Sequence, residues 1–410
     1  MSGRLILTGA NVLEPNAGAF LPDMTVVIEG DAIIAVEAGP VAVGPDDELR
    51  ALDGVWIIPG LIDAHFHLVS RSARRVDDRL VAASTIEGVA TAAAIVAAGV
   101  TTVRDCGCRH HGIHELKAAL GTLVPGPRAF VAGRNPTGPA APGHWRNVIA
   151  DGVDAVRHAV RTEIEAGADF VKLVLSHARN PSDWSQVDQY LSEADMRAAV
   201  AEAHAHGVLV GCHCEGYEVA AAAVRSGIDV LDHGPLIDEA TAALMAERGT
   251  VYVPTLWGFS DDSGIDLGML ASGEAEAIRY WRGQHQASVR RAVAAGVTVA
   301  AGSDAAGWLP PSDVLLRELI ALQACGLDNV DALAAATLGA AAALGLSGTF
   351  GAVTPGAVAD LVVLGEDPHA DITALAEPAL VISRGQTVGA GWEPDEAFAA
   401  AATTERWVDE

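Results

Sequence analysis

The chain has 410 residues, half of them apolar, with 26 basic against 53 acidic side chains and a formal net charge of −27. Such an acidic chain excludes nucleic acid and anionic membranes as partners, because both require a positive face. Five cysteines are too few and too odd for a disulfide framework, and Met1-Ser-Gly-Arg-Leu-Ile-Leu7 lacks a signal-peptide pattern, so a soluble protein of the reducing cytoplasm is expected.

Residues 1–57 read as short strands between turns: Arg4–Gly9, Met24–Glu29 and Ala32–Glu37, with Gly30-Asp31 and Pro45-Asp-Asp47 as turn signals. From 58 to 348 short apolar runs alternate with Ala-rich helical patterns. The apolar stretch 81–103 contains Glu87 and several glycines, which suits a helix leading into a strand and not a membrane span. Eight strands are predicted: Trp56–His67, Thr101–Cys106, Arg128–Gly133, Phe170–Leu175, Val208–His213, Val230–His233, Val251–Thr255 and Thr298–Asp304. Most follow an Ala-rich helix that ends in glycine, as at Ala98-Gly99, Ala166-Gly167, His206-Gly207, Ser226-Gly227 and Ala295-Gly296. Repeated helix–glycine–strand units are the signature of a parallel α/β sheet, and eight of them predict a closed (β/α)8 TIM barrel. Beyond 349 the strands Gly351–Gly356, Ala359–Leu364 and Leu380–Gly385 follow without helices between them. Residues 1–57 and 349–410 are therefore expected to form one composite β-sandwich domain beside the barrel of 58–348. Glu396–Glu410 reads as a short helix or a frayed tail.

Chemistry gathers at the predicted strand ends. A strand has a two-residue side-chain period, so His65 and His67 in Asp63-Ala-His65-Phe-His67-Leu68 face the same way, into the barrel at its catalytic end. Two imidazoles on one face suit a borderline cation such as zinc. Alone, His-x-His occurs by chance; here further candidate ligands close later strands. Lys172 lies in the apolar run Phe170-Val-Lys-Leu-Val-Leu175, where a lysine is costly unless paired or neutralised. It is either a salt-bridged core lysine or an amine that has added carbon dioxide. The resulting carbamate has two oxygens able to bridge two cations. His213 and His233 close strands in consecutive units. Asp304 ends Val299-Ala-Ala-Gly-Ser-Asp304 and reads either as a helix N-cap or as a ligand that also takes a proton from metal-bound water.

These residues in this order resemble the amidohydrolase superfamily. The matching elements are Pro59-Gly-Leu-Ile-Asp-Ala-His65-Phe-His67, Lys172, His213, His233-Gly234, Gly302-Ser-Asp304 and Pro355-Gly-Ala-Val-Ala-Asp360-Leu-Val-Val-Leu364. Thr101-Thr-Val-Arg-Asp-Cys-Gly107 and Gly126-Pro-Arg-Ala-Phe-Val-Ala-Gly133 are similar to the imidazolonepropionase-like and prolidase-like group. The resemblance implies two divalent metal ions, zinc by default with manganese, cobalt or iron as alternatives. His65, His67 and Asp304 would hold one, His213 and His233 the other, and carboxylated Lys172 would bridge them. A bridging hydroxide would attack a carbonyl, with Asp304 moving the proton to the leaving nitrogen.

The implied reaction is hydrolysis of an amide-type C–N bond in an N-acyl amino acid or dipeptide, a cyclic amide or a carbamate-like small molecule. Deamination of a heterocycle, lactone or phosphotriester hydrolysis, and a non-catalytic scaffold are the alternatives. His144, in Gly138-Pro-Ala-Ala-Pro-Gly-His144-Trp145, is either a catalytic group that binds the substrate carbonyl or a surface-loop histidine. Arg134, one of several loop arginines with Arg109, Arg146 and Arg179, is either a clasp for a substrate carboxylate or, as each reads when taken singly, a surface salt bridge. Trp257 and Trp308 are expected to line the pocket. His110, His111 and His114 cluster after the second strand, where His114 could share a helix face with His110, though a second metal site there is not expected; Cys106-Gly-Cys108 lacks the usual two-residue spacer, and Cys212 and Cys214 read as packing residues. A homo-oligomer is expected.

Overall fold

The computed structural model describes residues 3–14, 18–69, 78–139, 141, 147–180, 183–260, 272–306 and 313–389. His144, Arg146, Trp308 and the 396–410 stretch lie outside the described residues.

Both ends of the chain contribute to one eight-stranded sheet. Its N-terminal strands are Leu5–Glu14, Ala19–Glu29, Ala32–Ala38, Glu48–Ala51 and Trp56–Pro59; its C-terminal strands are Leu361–Leu364, Leu380–Ser383 and Gln386–Thr387. Trp56–Pro59 joins the two groups, antiparallel to Leu361–Leu364 with Ile58 opposite Val362. Alternation along these strands divides the apolar side chains between two cores. Ile57, Leu361 and Val363 pack with Leu7, Val26 and Ile33. Ile58, Val362 and Leu364 face the larger core of the α/β region. The run Gly351–Gly356 forms turns, not a strand; both glycines have positive φ, which suits turns better than a ladder.

The run predicted as one strand from Trp56 to His67 is two. It breaks at Gly60, whose N–H donates to the Asp360 carbonyl at 2.7 Å. Leu61–His67 then pairs in parallel with Val100–Asp105 in a different sheet. The crossing is tight: a Cβ at Gly60 would lie 2.1 Å from Thr101 Oγ1 and 2.9 Å from its Cβ. Gly60→Ala is expected to destabilise the fold by about 1–3 kcal/mol, the usual cost of overpacking. Urea unfolding checks this, and an unchanged midpoint would contradict the tight crossing.

Two parallel sheets and one antiparallel hairpin, Ser176–Asn180 with Asp183–Gln189, carry the rest of the described strands. One has the order Ala305–Ala306, Leu61–His67, Val100–Asp105, Arg128–Val131. The other has the order Asn147–Ile149, Asn135–Thr137, Phe170–Val174, Leu209–Cys214, Val230–His233, Val251–Val253. Helices such as Val153–Glu165, Glu193–Ala205 and Tyr217–Arg225 connect the strands. Glu193–Ala205 begins with a capping box, in which Ser192 and Asp195 satisfy each other's backbone N–H groups. Backbone bonds also run between the sheets. Asp169 N donates to Val131 O at 2.9 Å, Tyr252 N to Thr298 O at 2.9 Å and Ala64 N to Ala301 O at 2.9 Å.

The predicted eighth strand, Thr298–Asp304, is an irregular run bonded on both sides, with regular pairing only at Ala305–Ala306. Two features bend it: Asp304 has φ 52°, and Gly302 sits where a Cβ would lie 2.5 Å from Val253. No described helix is long and apolar enough to cross a membrane.

Candidate metal centre

The structure brings the six candidate residues together, five near strand ends and Lys172 in the middle of Phe170–Val174. His65 and His67 leave the same face of Leu61–His67, with ring centroids 5.4 Å apart. The Nε2 atoms of both rings lie 3.3 Å from one oxygen, Asp304 Oδ1. The His233 ring centroid is 4.7 Å from that of His65 and 4.3 Å from that of His213. His233 Nδ1 lies 3.9 Å from Asp304 Oδ2. His233, Thr255 and Asp304 all have φ between 52° and 67°, a left-handed backbone that is uncommon outside glycine. Such strain gathers where a side chain must be aimed at a site.

The donor set fits a cation. Donors held about 2.1 Å from one ion, at right to tetrahedral angles, are about 3.0–3.4 Å apart, the spacing of His65, His67 and Asp304. His67 Nδ1 is 2.9 Å from the Gly107 carbonyl and must donate to it, so Nε2 faces Asp304; there it favours a proton toward the carboxylate and would offer its lone pair to a bound ion in that proton's place. His233 Nδ1 contacts Thr255 Oγ1 at 2.8 Å. His213 Nε2 is buried and lacks a hydrogen-bond partner among the described residues, with Glu215 Oε1 at 3.3 Å.

Lys172 stands opposite Gly211 in the parallel register and is buried. Its Nζ forms an ion pair with Asp232, the residue before His233. Asp232 is fully buried and also meets Arg104, whose Nη1 lies 3.1 Å from Oδ1. Burial pushes the Asp232 carboxyl up, but Arg104, Lys172 and His65 outweigh it and hold it well below the usual range. Asp304 behaves likewise: burial is outweighed by His65 and His67, and it is held as an anion. Burial, with His213 nearby, keeps His233 neutral.

Sequence reading missed Asp232 and Arg104. The available signal was charge pairing: a buried lysine and arginine in apolar strands require a buried anion. It also missed Asp63 and Glu318. Asp63 braces the two ends of the site, accepting from His65 N at 3.1 Å, Ser303 N at 3.0 Å and Ser303 Oγ at 2.6 Å. Burial nevertheless raises its carboxyl to about 6.

Glu318 accepts from Leu256 N at 3.0 Å and Trp257 N at 2.7 Å. Burial raises it from 4.5 to about 8. A raised carboxyl contributes stability that is fully present below its unfolded value and is lost as pH rises through its folded value. The wild type is therefore expected to lose stability from about pH 4.5 to about pH 8, and Glu318→Gln to lose less over that window. Urea titrations at several pH values check this; parallel curves for the two proteins would refute it.

The substrate-side residues are less concentrated. Arg134 is ion-paired with Glu163, with Nη2 to Oε1 at 2.9 Å, and Glu163 also takes His111 Nε2 at 2.9 Å. Arg179 pairs with Asp188. Trp257 opens a short turn, Trp257–Phe259, and its indole Nε1 is buried without a partner among the described residues. Phe259 brings its ring 5.9 Å from that of His233. His177, not anticipated from the sequence, stacks on His213 at 4.2 Å. Burial lowers it to about 3, so it is neutral. It belongs to the hairpin Ser176–Asn180 and Asp183–Gln189, where the sequence offers no strand signal as strong as those of the buried parallel strands. Cys212 and Cys214 are buried free thiols.

Comparison with known proteins fits this arrangement. Residues 56–388 match the model of the amidohydrolase family. An uncharacterised protein of Mycobacterium tuberculosis (strain ATCC 25618 / H37Rv) is 31% identical over 386 residues, covering 91% of this chain and 95% of its own. Ochratoxinase of Aspergillus niger is 28% identical over 420 residues, covering 91% of this chain and 83% of its own. Among solved structures, a prolidase complexed with N-methylphosphonate-L-proline is 30% identical with a TM-score of 0.81, covering 94% of this chain and 99% of that one.

Proposed function

The chain belongs to the amidohydrolase family, a family of metal-dependent hydrolases, and from that premise we propose that it cleaves the amide C–N bond of N-acyl amino acids or dipeptides at a two-cation centre. His65, His67 and Asp304 would hold one ion, His213 and His233 the other, with carboxylated Lys172 between them. The observation that carries this reading is the convergence of two imidazole Nε2 atoms on one Asp304 oxygen, each at 3.3 Å.

The two parallel sheets would close into a single (β/α)8 ring. Supporting this are the Asp169–Val131 bond at one seam and the Tyr252–Thr298 and Ala64–Ala301 bonds at the other. Residues 1–57 and 349–410, of which 390–410 lie outside the described residues, would form the composite β-sandwich domain; support comes from the one sheet that strands of both ends share and from the core that Leu7, Val26 and Ile33 make with Ile57, Leu361 and Val363. Free thiols at all five cysteines support a reducing cytoplasm.

Bound zinc, or manganese, cobalt or iron in its place, supplies an acidified water and a Lewis acid for the carbonyl. The protein supplies orientation and proton transfer. Gly107 fixes the His67 ring and Thr255 the His233 ring. Asp304, held as an anion, accepts a proton from the attacking water and returns it to the leaving nitrogen. Trp257 would form part of the pocket wall, and His144 would bind the substrate carbonyl. Arg134 reaches a substrate carboxylate only by giving up Glu163.

Support for an amino-acid amide comes from the similar protein solved with a tetrahedral phosphorus group on proline, the shape an amide carbon takes under attack. Lys172 argues against a deaminase, which generally uses one metal and no bridging lysine.

The test is metal analysis of the purified protein with a screen of N-acyl amino acids, dipeptides, hydantoin-like rings and aryl carbamates. Two tightly held divalent ions per chain and turnover of an N-acyl amino acid are expected. Fewer than one ion per chain would overturn the reading.

A further inference from the structure

We propose that Asp232 is a positioning residue that ties the two halves of the metal centre together, holding His65 through Nδ1 and Lys172 through Nζ, with Arg104 as its fixed counter-ion; this rests on the two-cation reading above. Asp232 is fully buried at the end of Val230–His233, and its two oxygens have different partners. Oδ1 lies 3.1 Å from His65 Nδ1, an ion-pair contact and not an aligned hydrogen bond, and 3.1 Å from Arg104 Nη1. Oδ2 takes Lys172 Nζ. One carboxylate thus touches both a terminal ligand and the candidate bridge.

The surroundings are built to keep it there. Arg104 comes from Val100–Asp105, donates from Nη1 to the Ala64 carbonyl at 3.0 Å and lies 4.1 Å over the Phe170 ring. Gly211, the register partner of Lys172, makes the slot: a Cβ there would be 2.0 Å from Arg104 Nη2. A residue with any side chain at that position would displace the guanidinium.

This geometry serves the centre in two ways. A carboxylate 3.1 Å from Nδ1 electrostatically favours a proton on that nitrogen, which would turn the Nε2 lone pair to a bound cation. The second concerns Lys172. In carboxylation, the Nζ lone pair bonds to the carbon of carbon dioxide and one C=O pair moves onto oxygen. Two protons of the former ammonium go to solvent. One N–H remains on the carbamate nitrogen, and Asp232 Oδ2 is in place to accept it. Because the N–CO2 unit is planar, holding that N–H sets the plane of the two carbamate oxygens. Arg104 keeps its charge throughout, so Asp232 has a cation partner after Lys172 ceases to be one.

The wild type, Asp232→Asn and the double variant Arg104→Met/Asp232→Asn are to be loaded with zinc in carbon-13-enriched bicarbonate. They are then compared by zinc titration, by the carbon-13 resonance of the lysine carbamate and by thermal unfolding. Asp232→Asn is expected to lose the carbamate resonance and to bind zinc roughly 10- to 100-fold more weakly. The double variant removes the guanidinium that Asp232→Asn leaves without its anion, and a buried Lys172 that loses its ion-pair partner can shed its proton to become a neutral amine, so this variant decides the question if the single variant fails to fold. It is expected to unfold cooperatively near the wild-type midpoint and still to lack the carbamate. A folded variant that keeps the carbamate resonance and wild-type zinc affinity overturns the positioning role. A wild type with neither carbamate nor two zinc ions overturns the metal-centre reading, and this inference with it.

Discussion

Asp304→Asn is expected to lower kcat by about 10²–10⁴-fold, the range a positioned acid–base group contributes, without a matching loss of fold. Asparagine suits the test for a backbone reason. Asp304 has φ 52°, and asparagine visits the left-handed region at least as readily as aspartate, whereas most residues are strained there. The change therefore removes the negative charge and proton-accepting capacity but keeps an oxygen near His65 and His67. In the wild type those two imidazoles outweigh the cost of burial and keep the carboxylate ionised. The amide has no equivalent ionisation, so it can neither take a proton from water nor return one to the leaving nitrogen. Metal content should be measured on the same preparation, because the loss of turnover should exceed any loss of bound ion. A kcat within tenfold of wild type would remove Asp304 from proton transfer.

Much of this site could be read from the chain because it obeys short-range rules. His65 and His67 share a face through the two-residue period, and His213 and His233 stand at the ends of adjacent apolar runs. Strands such as Val230–His233 were legible to the residue because buried parallel strands are continuous apolar runs. What was hidden depends on distant partners. Nothing local distinguishes Asp232 from a capping residue; its role follows from Arg104, 128 positions earlier, and Lys172, 60 earlier. The break at Gly60 depends on Thr101, and the bend before Asp304 on packing of Gly302 against Val253 and His65. Arg134 reads locally as a substrate clasp or a salt bridge; a salt bridge forms, and its partner Glu163, on the following helix, is not legible nearby in the sequence. In each case the local pattern gave the element, while a long-range contact set its use.

Lys172→Ala is expected to abolish measurable turnover, and a short carboxylic acid added in solution to restore part of it. The variant should still fold. Removing one partner of a buried ion pair costs about 3–5 kcal/mol when the other charge is left alone, but Asp232 retains Arg104 at 3.1 Å. The truncation also empties a buried volume beside Asp232, into which acetate or propionate can place two oxygens where a carbamate would have placed its own. Rescue should saturate with acid concentration, and sodium chloride at equal ionic strength should not reproduce it. The two readings of Lys172 then separate by the chemistry of the rescuing molecule. If the side chain is only an ammonium partner for Asp232, a short alkylamine restores activity and a carboxylic acid does not. If it bridges two cations as a carbamate, the carboxylic acid restores activity and the alkylamine does not. Full activity of the unsupplemented variant would exclude an essential bridge altogether.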